Sequence, residues 1–119
     1  MLGIVLLAAA AAQAAPPDAK LGEAVYARCA ACHSLAYDRT GPRHCGLFGR
    51  HAGSVLGFAY SAAMKRADIV WSAKTLDRFL ANPAKAVPGT SMTYAGVPDR
   101  AERAALIAYL KKANAGPEC

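Results

Sequence analysis

The chain has 119 residues, room for one small domain and too few for two. Its 55% hydrophobic share is inflated by 29 Ala; from residue 16 onward Leu, Ile, Val and Phe make up only 18 of 104 residues, a share at which composition alone points towards disorder. Fourteen Lys and Arg against eight Asp and Glu give a net charge of +6, which favours acidic partners; the basic residues are scattered singly apart from Lys65-Arg66 and Lys111-Lys112, without an Arg-rich stripe or base-stacking motif, which argues against a nucleic-acid binder.

Leu2 to Ala12 is an almost unbroken apolar run, too short for the roughly 20 residues a membrane span needs. With Ala12-Gln13-Ala14 as a small-x-small site it reads as a cleaved signal peptide over residues 1–15, although no basic residue precedes Lys20; a retained anchor is the alternative. Residues 16–119 then form the mature domain, exported to the periplasm, without stable membrane insertion and monomeric. Asp18 caps a helix running to about Cys29, with Leu21, Val25 and Tyr26 on its inner face. Ser34 to Gly57 reads as loop, punctuated by five glycines, and a short helix follows over Ser61 to Arg66. Ser72 caps the next helix, with Leu76, Phe79 and Leu80 inward and a stop at Asn82-Pro83; Pro83 to Val87 adds one turn. After a loop over Pro88 to Val97, Asp99 and Glu102 make a capping-box pattern for the last helix, which turns Leu106, Ile107 and Leu110 inward. No stretch alternates as a strand does, so the expectation is an all-α domain with long loops. Either such a chain folds poorly alone or something other than side chains fills its middle.

Cys29-Ala30-Ala31-Cys32-His33 is C-x-x-C-H, the attachment signal for a c-type haem. Two thiols three residues apart on a helical turn can each add to a porphyrin vinyl group, and the next residue then offers imidazole to the iron. A redox-active C-x-x-C wants a βαβ setting, and a zinc site wants a second paired knuckle; the sequence supplies neither. For the opposite face of the iron the residues leave Met64, Met92, His44, His51 and the lysines as candidates. Met92 stands in a Pro-Gly loop where no helical periodicity asks for an apolar residue, and a thioether there competes evenly with a plain core methionine.

With these segments in view the chain resembles the small class I cytochromes c, bacterial relatives of the mitochondrial protein. Gly22 to His33, Thr40-Gly41-Pro42, Gly46 to Arg50, Gly57 to Tyr60, Ile69-Val70-Trp71, Asn82 to Met92 and Ala105 to Lys112 carry the likeness. It implies the cytochrome c fold, three main helices with short helical turns and long loops around one covalent haem c. It implies His33 as proximal and Met92 as distal iron ligand, and Pro42 as carbonyl partner of His33. Arg50, Tyr60 and Trp71 would hold the propionates, and Thr90 would fix the methionine loop. It also implies a disulfide between Cys45 and Cys119, whose regions lie close in that fold.

Some positions depart from the family. Phe79 and Met64 stand where it often has Tyr and Asn, which puts its haem-side water network in doubt. Of the basic residues around the haem edge, Arg28, Arg39, Lys85 and Arg100 are matched, while Ala84, Ser91 and Asp99 are not. Docking to acidic faces of membrane electron-transfer complexes should therefore be electrostatic but weaker than in Lys-rich members. Lys85 resembles the lysine that replaces the methionine at high pH. The function implied is a one-electron carrier between respiratory or photosynthetic complexes, not an enzyme. The alternatives are a small peroxidase-like haem enzyme or a haem subunit of a larger oxidoreductase; a four-helix gas-binding cytochrome is disfavoured by the early C-x-x-C-H.

Overall fold

A computed structural model describes residues 4–10 and 16–119. The proposed cleavage pattern Ala12-Gln13-Ala14 lies outside the described residues, and residues 4–10 are exposed and without secondary structure. The described residues form five helices, in chain order α1 Ala19–Tyr26, α2 Ala62–Lys65, α3 Ala73–Ala81, α4 Pro83–Ala86 and α5 Arg100–Asn114. The described residues hold no strand, only an isolated antiparallel bridge between His51 and Val70.

Each helix starts where a short polar side chain can accept from an unpaired backbone N–H. Asp18 accepts from Lys20, Ser61 from Met64, Asn82 from Lys85 and Asp99 from Glu102. α3 has the complete reciprocal box, with Thr75 Oγ1 returning to the Ser72 N–H at 2.8 Å. At α5 the box is only half made, because the Glu102 carboxylate turns instead to the Arg28 guanidinium and accepts from it at 2.9 and 3.0 Å. α1 is also shorter than its sequence suggests. It ends at Tyr26, and the chain tightens into successive turns in which Arg28 N–H donates to Val25, Cys29 N–H to Tyr26 and Cys32 N–H to Cys29.

α1 and α5 form the principal helix pair, and α3 packs on α5. Gly22, Val25 and Tyr26 are the buried face of α1, whereas Leu21 remains 37% exposed. The helices meet backbone to backbone at Gly22, where an added Cβ would collide with the Ala105 carbonyl and lie 2.7 Å from Tyr109 Cβ. A Gly22→Ala change should therefore lower stability by about 2–3 kcal/mol, since the obstruction is main chain and cannot rotate away; a denaturant titration of the haem-loaded protein reads this directly. Arg103 ties α5 to α3 through Asp77 at 2.9 Å and also donates to the Val97 and Pro98 carbonyls. The α3–α5 side of the core contains Leu76, Phe79, Leu80, Leu106, Ile107 and Leu110.

Candidate functional site

The core is not closed on itself. Between the turns after α1, the 40–60 loops, α3 and the 90–94 loop lies a cavity of about 1240 Å³, counting the part open to solvent. Eight of the thirteen clustered core residues line it: Tyr26, Leu47, Trp71, Leu76, Phe79, Leu80, Leu106 and Leu110. All nine residues singled out from the sequence also stand on its wall: Cys29, Cys32, His33, Pro42, Arg50, Tyr60, Trp71, Thr90 and Met92. Met64 lines the cavity as well, as does His44; His51 and Lys85 do not.

The turns after α1 present both thiols of Cys29 and Cys32 unbridged to this space, Cys29 partly buried and Cys32 exposed. Burial pushes the Cys29 thiol above its ordinary pKa, the neighbouring Arg28 charge partly opposing. His33 Nδ1 lies 2.9 Å from the Pro42 carbonyl oxygen. Because a carbonyl can only accept, Nδ1 carries the proton, and the lone pair of the neutral ring resides on Nε2. Burial holds His33 below the ordinary histidine pKa and favours this neutral form; the Pro42 contact works in the opposite direction but does not overcome it. Gly41 permits the close approach, since a Cβ there would run into the His33 ring.

Sequence patterns gave no sign of what covers His33 from behind. The His44 ring stacks on it at 4.3 Å between centroids with planes 21° apart, and His44 Nδ1 lies 2.9 Å from the Tyr26 hydroxyl. Burial, together with the nearby His33 and Arg50, pushes His44 down to about 3, so it is neutral at physiological pH. Two histidines eleven positions apart carry no periodic signal, so the stack is visible only in three dimensions.

Met92, also on the cavity wall, is partly buried, and its N–H donates to Thr90 Oγ1 at 3.2 Å. Thr90 is thus a local brace of the methionine loop. Arg50 donates from its two terminal nitrogens to the Cys45 and Arg43 carbonyls at 3.2 and 2.9 Å, while its Nε is buried without a partner among the described residues. Tyr60 accepts from the Val55 N–H at 3.1 Å and keeps its own O–H to donate. Trp71 is buried against Phe79, ring centroids 5.1 Å apart.

These observations fit the covalent haem expected from C-x-x-C-H. The wall is apolar where a porphyrin face would rest, and two free thiols and an imidazole with an available Nε2 share it. An unpartnered buried guanidinium nitrogen suits an anionic propionate. The charged rim is less free than the count of +6 suggests. Arg28 is engaged by Glu102, and Arg39 folds back onto the carbonyls of Ala30, Ala31 and His33. The bridge between Cys45 and Cys119 is present, with Cα atoms 5.3 Å apart.

Comparison with known proteins agrees with the geometry. The family model described as "Cytochrome c" matches residues 19–114. The chain is 43% identical over 118 residues to cytochrome c2 of Blastochloris viridis, covering 97% of this chain and 93% of the relative. It is 44% identical over 107 residues to cytochrome c of Sesamum indicum, covering 87% and 96% of the respective chains. Among solved structures, cytochrome cH from Methylobacterium extorquens superposes with a TM-score of 0.77 at 40% identity, over 80% of this chain and 98% of that one.

Proposed function

Because the chain belongs to the cytochrome c family, an all-α electron carrier with a covalently bound haem c and not an enzyme, we propose that it moves single electrons with His33 and Met92 as the two axial ligands. The haem iron supplies the ferrous/ferric couple. Cys29 and Cys32 would hold the ring by thioether bonds, and Pro42, by fixing the His33 tautomer, leaves the Nε2 lone pair available to the metal. Thr90 restrains the loop that offers the Met92 sulfur, and a thioether opposite imidazole favours the ferrous state, raising the potential. Arg50, Tyr60 and Trp71 would hold the propionates, Arg50 through its unpartnered Nε.

The observation that carries this reading is the shared cavity wall: both thiols, His33 with its proton committed to Pro42, and the braced Met92 all face one apolar space. A protein whose job is to change only its charge benefits from ligands held by the fold in both oxidation states, since little then needs to rearrange. Docking partners are membrane electron-transfer complexes with acidic faces, met chiefly through Lys85, Arg100 and the exposed parts of Arg28 and Arg39. No described helix is long and apolar enough to cross a membrane. Export to the periplasm, with residues 1–15 removed as a signal peptide and 16–119 as the mature domain, is supported by the apolar run before Pro16.

An absorption spectrum with redox titration of the purified haem-loaded protein tests this. The expected result is haem that resists extraction, a reversible one-electron titration and a ferric methionine-to-iron charge-transfer band. Extractable haem, or a ferric spectrum without that band, would count against it.

A further inference from the structure

The proximal imidazole is held by a loop that is itself held from the far end of the chain. Residues 42–46 supply the Pro42 carbonyl to His33 Nδ1 and lay the His44 ring over the His33 face. The same loop is gripped at its other end by α5 and the tail. Gly46 N–H donates to Asn114 Oδ1 at 2.8 Å, and Asn114 Nδ2 donates to the Leu110 carbonyl at 2.9 Å, which fixes the orientation of the amide. One residue earlier, Cys45 is bonded to Cys119. Within five residues the loop therefore makes two contacts with the proximal histidine and two with the C-terminal end of the molecule.

We propose that Asn114 and the Cys45–Cys119 bridge are positioning groups for His33, setting its donor strength through the Pro42 hydrogen bond. The proposal rests on His33 being the proximal ligand. A short bond from Nδ1–H to the carbonyl lends the ring imidazolate character and strengthens Nε2 as a donor, which favours the ferric state. Loosening the far end of the loop lets the carbonyl drift, weakens that bond and favours the ferrous state. The sign follows: removal of either grip raises the reduction potential.

The test compares wild-type haem-loaded protein with Asn114→Ala and with the double variant Cys45→Ser/Cys119→Ser, reading potential by spectroelectrochemistry and Gly46 amide exchange by NMR. Expected are faster exchange at Gly46 and, in each variant, a ferrous-to-ferric ratio at fixed solution potential raised by about threefold, or about 28 mV at about 59 mV per decade for one electron. Reduced thermal stability with potentials equal to wild type, or lowered, would overturn the proposal and leave the two grips purely structural. The double variant alters only a loop residue and the last residue of the chain, so it keeps the question decidable if Asn114→Ala folds poorly. Loss of the methionine-to-iron band in wild type would defeat the Met92 assignment, while the comparison of potentials would still decide the proximal proposal.

Discussion

Replacing Cys29, Cys32 and His33 by Ala, so that neither thioether nor proximal ligation can form, is expected to leave the chain largely unfolded. The reason is the composition of the cavity wall. Eight of thirteen clustered core residues face that space, so without the ring they meet water or each other across a void. Burial of a large apolar side chain is worth about 1.5–3 kcal/mol. Losing about half of that at eight positions costs on the order of 10 kcal/mol, comparable with the whole stability of a small domain at about 5–15 kcal/mol. The pairings of α1 with α5 and of α3 with α5 cannot by themselves offset the loss. Far-UV circular dichroism and amide exchange on the triple variant check the point; a compact, fully helical protein would contradict it.

Met92→Ala should leave the haem attached, through Cys29 and Cys32, yet abolish the carrier's electronic character. The substitution leaves the other cavity residues in place and removes the thioether. Its removal opens a coordination position, eliminates the methionine charge-transfer band and lowers the potential by roughly a tenth of a volt or more, within the range of about 0.8 V that axial ligands span. Exogenous imidazole or cyanide should then bind at concentrations that do not affect wild type. An unchanged band and potential would transfer the distal role to another cavity residue, with Met64, the second thioether on the wall, first in line.

The parts of this molecule that were legible in the sequence are those written in local patterns. Asp18, Ser72 and Asp99 mark helix starts because capping needs a particular side chain at a particular offset, and the structure has each of them capping. C-x-x-C-H is legible for the same reason, its chemistry being confined to five consecutive residues. What escaped depends on distant segments. The end of α1 at Tyr26 follows from the tight turns that aim both thiols into the cavity, which apolar periodicity cannot signal. Glu102 looked like the second half of a cap, but Arg28, 74 positions earlier, competes for its carboxylate and wins with two charge-assisted bonds. The nine cavity residues singled out from the sequence came chiefly from family resemblance; His44 was a candidate only for the iron's other face, and its stack on His33, like the grip of Asn114, emerged only when loop 42–46 was seen between α1 and α5.

The covalent link at Cys45–Cys119 also changes the shape of the search by which the chain folds. The first and last helices must meet at Gly22 and Ala105, 83 positions apart along the backbone. With the bridge closed, a second route runs from 22 to 45, crosses to 119 and returns to 105, about 38 positions in all. Loop-closure entropy varies as three-halves RT times the logarithm of length, so the shorter route cuts the cost of this encounter by about 0.7 kcal/mol. Once oxidised, the unfolded chain is a lasso whose knot keeps its two terminal helices within reach of one another, and their pairing should be about threefold faster than in the same chain with serines at 45 and 119.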